Sequence, residues 1–519
     1  MSVGSFVPSD LRSRRAAHPS PWPGTLMAPE VLAVGALTIL AAGLRFWGIG
    51  HQGFWYDEAD TAQLVGMSAG KMLGLLPHTE STPPLYYCIA WVWVRIFGDH
   101  EAGLRSLSAV AGVLVVPVAY VAAAKLMSRR AGLITAALTA CNPLLIWYSQ
   151  EARSYSLLVL LTAVSLAAFA YARAEPTGRA LTVWVIACVL SEVTHYYAVV
   201  IIVPEAVWLL VEHRRRRAVW TAVGVLAVCG LALLPLLIYQ NGTRRDAWIA
   251  SSPFAVRLRQ IIPQFLIGTN APHRTVVKYV TMGLAVLALA LLAARATAAE
   301  RRPALVAGSM ALGGFILSLL FVAVGFDDLI TRNIIALWLP AAILIAGGLA
   351  AGQAGRLGLL VTVAVCASGV FATVGIAANR SMQRPDWRYV ARALGTRRPA
   401  APGRAILVQH YQYLLPLSLY LPGLKVFHAP ELVDQIEVIS VVSPSQPLCW
   451  WGAACNLIPS QMQRRYAIPG FHIVARRHVL QWTILTMDAG HPVRLTRHDV
   501  SRALHTTTLH RDELIYQRG

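Results

Sequence analysis

Charged residues are scarce in this sequence of 519 amino acids, and lysine is nearly absent. Only 13% of the residues are charged, about half the share of ~25% in soluble domains, whereas 56% are hydrophobic. Lysine occurs four times, so the formal net charge of +20 comes almost entirely from arginine. The composition excludes a soluble globular domain. It indicates a membrane protein with positively charged cytoplasmic loops next to anionic lipid, and it does not indicate a nucleic-acid-binding protein.

Several recognisable motifs are also missing. The sequence contains no phosphate-binding glycine loop, no zinc-ligand spacing and no dinucleotide fingerprint. It also has no internal repeat, which transporters usually carry. The first apolar run begins near Ala28, after a polar stretch that contains Arg12, Arg14 and Arg15. We therefore expect residues 1–27 to form a cytoplasmic tail that leads into an uncleaved membrane span.

Apolar runs long enough to cross ~30 Å of hydrocarbon recur throughout residues 28–378. They predict eleven transmembrane helices, two of which share the stretch 180–211. The other nine lie near 28–44, 106–124, 131–149, 154–172, 218–239, 278–294, 303–325, 333–352 and 357–378. With the amino terminus inside, this count places every basic cluster in a cytoplasmic connection. The apolar segment Pro83 to Phe97 is short, and we predict a re-entrant or half-buried helix on the outer face.

The composition changes after Ala378, where charged residues, histidine and proline return. Short apolar runs at 405–408, 438–442 and 471–474 predict strands, so residues 379–519 are expected to form an extracytoplasmic α/β domain. Two cysteines of this domain, Cys449 and Cys455, lie six positions apart. An oxidising compartment favours a disulfide between them, and two buried free thiols are the alternative.

Two adjacent carboxylates, Asp57 and Glu58, follow the first predicted span in a loop rich in aromatic residues. A partly desolvated carboxylate can serve as a general base toward a hydroxyl group. The alternative is an N-terminal helix cap, because the same two residues could begin a helix over 58–73.

Further polar residues collect in the other predicted outer connections. The second connection contains Glu151 and Arg153, which could bind substrate or form a local ion pair. The third contains His195 and Tyr196, and a histidine in such a place is more often structural than a ligand. The fifth contains Arg332, which suits an anionic phosphate, although Asp327 or Asp328 could pair with it instead.

These motifs together resemble those of the GT-C glycosyltransferases, in particular the protein O-mannosyltransferases, the lipid A aminoarabinose transferases and their actinobacterial relatives. Four motifs within residues 40–390 carry most of the resemblance. They are Trp55-Tyr-Asp57-Glu58, Pro83-Pro84-Leu-Tyr-Tyr, Gly103-Leu-Arg105-Ser-Leu-Ser and Tyr148-Ser-Gln-Glu-Ala-Arg153-Ser-Tyr-Ser. A fifth, Arg384-Pro-Asp386-Trp387-Arg388, leads into the outer domain.

The resemblance implies an inverting transfer of a sugar from a polyprenyl-phosphate donor to a glycan, lipid or protein acceptor at the outer face of the plasma membrane. It assigns Asp57 as catalytic base, with Glu58 as its neighbour or substitute. Donor or substrate contacts are expected from Glu151, Arg153, His195, Tyr196, Arg332 and Arg105. No cofactor is certain, but a divalent metal is possible if Glu58, Glu151 and His195 converge near Asp57. The alternatives are a transporter or flippase of lipid-linked glycans and a non-catalytic scaffold for envelope assembly.

Overall fold

The computed structural model of the protein describes residues 29–243, 245–397, 401–408, 414–427, 429–441, 468–479, 482–503 and 513–518. Cys449 and Cys455 lie outside the described residues, so their disulfide stays a prediction. The helices, in chain order, are α1 (Pro29–Phe46), α2 (Tyr56–Gly66), α3 (Ala69–Thr79), α4 (Leu85–Phe97), α5 (Glu101–Leu126), α6 (Arg129–Cys141), α7 (Pro143–Ser149), α8 (Tyr155–Ala174), α9 (Gly178–Glu192), α10 (Val199–Glu212), α11 (Arg217–Gly242), α12 (Ala247–Ser251), α13 (Phe254–Ile267), α14 (Arg274–Arg295), α15 (Ala298–Ala323), α16 (Trp338–Ala350), α17 (Gly355–Ala378), α18 (Trp387–Leu394), α19 (Leu414–Ser418) and α20 (Arg497–Ala503). Short 3₁₀ turns occupy Tyr196–Ala198, Ile335–Leu337, Gly352–Ala354 and Arg380–Met382.

The membrane part is a bundle of apolar helices, as the sequence predicts. Seven of the described helices are long and apolar enough to cross a bilayer, and the bent pair of α6 and α7 would make an eighth. Three of the predicted spans fall on shorter helices: α9, α10 and α16 have 15, 14 and 13 residues. A perpendicular crossing takes ~20 residues, so the count of eleven spans stays a prediction. Helix α4 has 13 residues and a length of only ~20 Å, which agrees with a half-buried helix.

The predicted span over 131–149 is bent, because the chain turns by 56° between α6 and α7. Pro143 occupies the first turn of α7, and the side chain of Asn142 accepts a hydrogen bond from the Leu145 amide. The bend leaves the last carbonyls of α6 without helical partners. The buried guanidinium of Arg45, from α1, donates to the carbonyls of Thr139 and Ala140 at 3.0 and 3.1 Å.

Helix α5 passes close to this bend at Gly112. A Cβ atom at that position would overlap Ser149 Oγ at the end of α7 and would lie 3.0 Å from Arg45 Nε. Only glycine therefore lets α5 approach both α1 and α7 so closely. After the bend, α7 leads into the end of the bundle at which most of the loops lie. We call this the loop-rich end. It comprises residues 47–100, 150–154, 192–198, 240–243, 245–273 and 324–334.

The carboxyl-terminal part contains a six-stranded sheet, as the strand patterns predict. Its strands are β1 (Gly403–Val408), β2 (Leu424–Val426), β3 (Glu431–Val441), β4 (His472–Val479), β5 (Trp482–Leu495) and β6 (Glu513–Gln517). The order is β2-β6-β1-β3-β5-β4; β1 and β3 are parallel, and the other pairs are antiparallel. Strand β1 is buried on both faces: Ile406 packs toward α18 and α19, and Leu407 packs into the core on the side of α20.

This sheet domain contacts the loop-rich end through its first residues and through α19. Asp386 accepts a hydrogen bond from the Gly53 amide at 3.0 Å and also caps α18. Arg388 donates to the carbonyls of Gly50 and His51. The Tyr420 hydroxyl accepts from the Phe54 amide at 2.6 Å. The loop between α1 and α2 is therefore held between the helical bundle and the sheet domain.

Candidate active site

The carboxylate of Asp57 forms an ion pair with Arg332 at the loop-rich end. Asp57 lies in the first turn of α2, and its Oδ2 is 2.8 Å from Arg332 Nη1. The guanidinium of Arg332 lies between two aromatic rings, 5.7 Å from the centre of Tyr155 and 5.3 Å from that of Trp248. Both partners keep part of their surface accessible, 16% for Asp57 and 17% for Arg332. The two residues lie 275 positions apart in the chain, and the fold brings them together.

Glu58, the neighbour of Asp57, is fully buried and its oxygens are occupied. Oε1 accepts hydrogen bonds from Arg105 Nε at 2.7 Å and from the Ala152 amide at 2.8 Å, and Oε2 accepts from Arg105 Nη2 at 2.6 Å. The Trp55 amide also donates to Oε2, so Glu58 forms part of the cap of α2. Burial opposes the charge, but Arg105 outweighs it and holds the pKa of Glu58 below its usual value. Glu58 is thus an anion held in one position, and it joins the start of α2 to α5 and to the loop that contains Ala152.

Arg105 is committed to the same structural contacts. Its remaining N–H groups donate to the carbonyls of Ile49, Gln52 and Gly53 at 2.9 to 3.0 Å. A guanidinium has five N–H donors, and the contacts to Glu58 and these carbonyls use them all. The expected donor contact from Arg105 stays a prediction, and a phosphate would have to replace one of these hydrogen bonds to make it.

The predicted alternative of a Glu151–Arg153 ion pair is wrong. Arg153 forms a two-point pair with Glu80 instead, at 3.1 and 2.9 Å, and donates to the carbonyl of Asp57 at 3.2 Å. Glu151 pairs with Arg384 Nη2 at 2.7 Å, and its other oxygen is buried without a hydrogen-bond partner among the described residues. Burial raises the pKa of Glu151, and the charge of Arg384 opposes the rise.

The predicted local pairing of Arg332 with Asp327 or Asp328 is also wrong. Asp327 forms a two-point pair with Arg257 of α13, at 2.8 and 2.6 Å. Burial raises the pKa of Asp328 to about 6, with further contributions from Asp246 and Asp327. Arg332 therefore pairs with Asp57 and not with a neighbouring aspartate.

His195 and Tyr196 lie at the edge of the site and not at its centre. The buried ring of His195 lies beside Tyr155, 5.8 Å between centroids, and its Nδ1 accepts from the Tyr197 amide. Burial, followed by the charges of Arg153 and Arg332, lowers the pKa of His195 to about 3, so the ring is neutral at ordinary pH. The hydroxyl of Tyr196 donates to Gln240 in α11 at 2.7 Å.

Three residues of the site and one neighbour of it are absent from our sequence-based candidates. Glu80 binds Arg153, Arg257 binds Asp327, and Arg384 binds Glu151. Asp246 accepts a hydrogen bond from Ser81 at 3.2 Å and interacts electrostatically with Arg332 and Arg153. The only sequence signals were indirect, because Glu80 precedes the Pro83-Pro84 turn and Arg384 begins the motif that leads into the sheet domain.

A metal site does not emerge from the described residues. No group of three histidine, cysteine, aspartate or glutamate side chains among them is placed to hold a metal ion. Glu58 and Glu151, two of the possible ligands, each bind an arginine instead. A cavity does open beside the site, between the ends of α1, α7 and α17, and Trp147, Gln150 and Arg384 line part of it. Neither Asp57 nor Arg332 lines this cavity.

Comparison with known proteins gives one family match and several structural matches. A family model described as dolichyl-phosphate-mannose-protein mannosyltransferase matches residues 81–239. No curated protein matches the chain. The crystal structure of ArnT from Cupriavidus metallidurans in the apo state is similar over 88% of this chain and 97% of that chain, with 14% identity and a TM-score of 0.52.

Two further structures are less similar. The Archaeoglobus fulgidus oligosaccharyltransferase, solved with Zn and sulfate, matches 78% of this chain and 67% of its own, with 12% identity and a TM-score of 0.45. The S. cerevisiae protein O-mannosyltransferase Pmt1-Pmt2 complex, bound to the sugar donor, matches 43% and 34%, with 13% identity and a TM-score of 0.31. The chain therefore shares the fold of the ArnT structure, and residues 81–239 match a family of mannosyltransferases, in line with the GT-C glycosyltransferases that the sequence motifs resemble.

Proposed function

We propose that this protein is an inverting glycosyltransferase that moves a sugar from a polyprenyl-phosphate donor to an acceptor hydroxyl or phosphate. The observation that carries the proposal is the Asp57–Arg332 pair. It unites a carboxylate and a guanidinium, both partly accessible, at one end of an apolar bundle. Such a pair supplies the two groups that the reaction needs, a base for the acceptor and a cation for the phosphate. The matched family model supports the donor class, since its description names a dolichyl-phosphate sugar.

The hydrogen bonds of the arginines favour Arg332 as the phosphate ligand. Arg105 has all its N–H groups engaged, and Arg257 binds Asp327 and two carbonyls. Arg332 makes one hydrogen bond, to Asp57, and its Nε is buried without a partner among the described residues. It therefore keeps the most donors for a ligand, and a fork of N–H groups suits phosphate oxygens.

The proposed step balances without a further reactant. Asp57 accepts the proton of the acceptor hydroxyl, and the acceptor oxygen forms a bond with the anomeric carbon of the sugar. The bond from that carbon to the phosphate oxygen breaks, and its electron pair leaves with the polyprenyl phosphate. Arg332 stabilises the negative charge that develops on the departing phosphate. The surrounding buried ion pairs hold the loops that carry both groups in a fixed geometry.

We further propose that the loop-rich end and the sheet domain face the outside of the plasma membrane. The basic clusters near Arg129, Arg179, Arg217, Arg301 and Arg356 lie at the ends of helices opposite to those that enter the site. Positive residues favour the cytoplasmic side, so the opposite end is the outer one. Hydrophobic acceptors and donors could then reach the site from the outer leaflet.

The function is tested with purified protein in lipid nanodiscs and a panel of radiolabelled polyprenyl-phosphate hexoses and pentoses. We expect the wild type to transfer the sugar or to release it slowly to water. The Asp57→Asn variant should lower turnover by ~10²-fold or more, because it removes the proton acceptor. The readout is radioactivity in the water-soluble or acceptor fraction after phase separation.

Asp99→Asn is the matched control, because Asp99 is an exposed carboxylate at the same end of the bundle. Its turnover should match the wild type. Movement of intact donor across vesicles, without cleavage of any sugar in the panel, would favour a flippase and contradict the proposal. Binding of envelope components with neither cleavage nor movement would favour a scaffold.

A further inference from the structure

The ion pairs of the loop-rich end fall into two kinds. Arg105–Glu58, Arg153–Glu80 and Arg257–Asp327 each join two nitrogens to two oxygens. The Asp57–Arg332 pair has a single hydrogen bond of 2.8 Å. Three pairs are thus two-point contacts that a ligand cannot easily replace. Asp57–Arg332 is a one-point contact between partly accessible side chains, whereas Glu151–Arg384, which is also a one-point contact, is buried.

We propose that the donor phosphate and the Asp57 carboxylate compete for Arg332, so that binding of the donor opens the Asp57–Arg332 pair and frees Asp57 to act as base. This inference rests on the proposed function and adds an order to it: the donor binds before the acceptor is activated. While the pair is closed, the charge of the carboxylate is already bound by a cation, and the cation is not fully available to phosphate. Each group therefore keeps the other inactive until the donor separates them.

The geometry favours the phosphate in this competition. A phosphate offers two oxygens to the guanidinium, whereas Asp57 uses one, and Arg332 Nε has no partner among the described residues. A two-point contact between arginine and phosphate is stronger than a one-point contact. The donor can therefore replace the single contact to Asp57 with a two-point contact.

The two partners also differ in how firmly they are held. The Arg332 guanidinium lies between Tyr155 and Trp248, which restrict its movement through cation–π contacts. Asp57 has a short side chain on the first turn of α2, and its carboxylate makes no other hydrogen bond among the described residues. Rotation of this side chain to another staggered rotamer would separate the pair while both backbones stay in place.

The same competition would help the product to leave. After transfer, Asp57 has received the proton of the acceptor and carries no charge, so it cannot compete for Arg332. The polyprenyl phosphate has gained a negative charge and binds Arg332 most tightly at that moment. Once Asp57 releases its proton to water, its carboxylate again competes for the guanidinium and lowers the affinity for the phosphate, so that the product dissociates more readily. The pair then closes, and the next cycle can start.

The test measures binding of polyprenyl phosphate, without sugar and without acceptor, so that it does not depend on turnover. Affinities are measured in nanodiscs at one mildly alkaline pH for all variants. We expect Asp57→Asn to bind polyprenyl phosphate roughly tenfold more tightly than the wild type, because the competing anion is gone. A structural role of Asp57 would instead leave the affinity unchanged or weaken it.

Two controls separate competition from a general loss of negative charge. Asp246→Asn removes a neighbouring carboxylate that acts on the same site without a hydrogen bond to Arg332. It should change the affinity by less than about threefold. In an Arg332→Gln background, Asp57→Asn should likewise change the affinity by less than about threefold. Without the guanidinium, Asp57 and the phosphate have nothing for which to compete.

The outcomes distinguish this inference from the proposed function. If the wild type binds polyprenyl phosphate but Asp57→Asn gains no more affinity than Asp246→Asn, competition is excluded and the glycosyltransferase proposal stands. If Asp57→Asn gains the same affinity with and without Arg332, the effect is a general electrostatic one and the inference is overturned. If the wild type does not bind polyprenyl phosphate at all, both proposals fail. Should Asp57→Asn fold poorly, Asp57→Ser gives the same comparison.

Discussion

At the scale of single residues, the site depends on how completely each arginine is paired. Arg105 and Glu58 are 3% and 0% exposed, and each satisfies the other. Such a buried pair adds little net stability, but removal of one partner leaves an uncompensated charge. Glu58 therefore fixes the start of α2, on which its neighbour Asp57 depends for its position. Two adjacent carboxylates thus have different roles, and burial decides which role each takes.

This difference predicts that two conservative substitutions change the free energy of unfolding by unequal amounts. Glu58→Gln should destabilise the protein by ~3 kcal/mol, because Arg105 would remain buried with a neutral partner. Asp57→Asn should change stability by less than ~1 kcal/mol, since the Asp57–Arg332 pair is partly exposed. Thermal denaturation in detergent, followed by tryptophan fluorescence, measures both. A Glu58→Gln protein with unchanged thermal stability and lost turnover would show instead that Glu58 takes part in catalysis.

At the scale of the helices, a buried carboxylate joins three elements of the bundle. Glu205 of α10 is fully buried and accepts a hydrogen bond from Trp184 Nε1 of α9 at 2.8 Å. Its other oxygen lies 3.3 Å from Ser165 Oγ of α8, and that hydroxyl also lies 2.9 Å from the carbonyl of Thr162. One hydroxyl proton cannot serve both acceptors. The contacts therefore fit a neutral Glu205 that donates to Ser165 while Ser165 donates to Thr162.

Substitution of Glu205 tests this hydrogen-bond arrangement. Glu205→Gln should stay within ~0.5 kcal/mol of the wild type, because an amide can donate to Ser165 and accept from Trp184. Glu205→Leu should destabilise the protein by ~2 kcal/mol, because the Trp184 N–H would lose its partner in a buried place. Thermal unfolding in detergent compares the two variants. If Gln destabilises as strongly as Leu, Glu205 is ionised and its charge is needed.

The sequence predicts the elements better than the contacts between them. Long apolar runs identify the long helices, and short apolar runs between turn signals identify strands β1, β3 and β4, because each pattern is local in the sequence. The break after α6 had a local signal, the Asn142-Pro143 dipeptide, which the length of the apolar run concealed.

The ion pairs of the site had no local signal. Their partners lie 47 positions apart for Glu58 and Arg105, and 73 apart for Glu80 and Arg153. The separation reaches 233 for Glu151 and Arg384 and 275 for Asp57 and Arg332. Both local pairings that we considered, for Arg153 and for Arg332, are wrong for this reason. Side chains of adjacent loop residues are close in sequence, but the fold offers them better partners from other loops.

At the scale of the whole molecule, the sheet domain acts as a support for the first loop. Asp386, Arg388 and Tyr420 hold residues 50–54 from one side, while Arg105 holds the same segment from the bundle. Asp57 follows directly on this segment. The position of the proposed base is therefore determined by contacts from both parts of the protein, and the site is a property of the entire chain.

Helix α11 and the sheet domain together predict the orientation of the molecule in the membrane. Helix α11 begins at Arg217, and its other end reaches the loop-rich end, where Gln240 contacts Tyr196. With 26 residues, α11 is long enough to cross ~30 Å of hydrocarbon. The sheet domain contacts the loop-rich end, so residue 217 and the sheet domain belong to opposite sides. Because positive clusters favour the cytoplasm, we expect Arg217 inside and the carboxyl-terminal domain outside.

Reporter fusions measure this orientation directly. A fusion of alkaline phosphatase, which is active outside, should be inactive after Arg217 and active after Gly519, and a reporter that is active inside should give the opposite pattern. A fusion after Val324, which follows α15 at the loop-rich end, serves as the matched control and should agree with Gly519. Equal signals after Arg217 and Gly519 would contradict both the predicted topology and the outer location of the site. Opposite signals with Arg217 outside would keep the fold but place the proposed sugar transfer on the cytoplasmic face, where the donor would have to be presented from the inner leaflet.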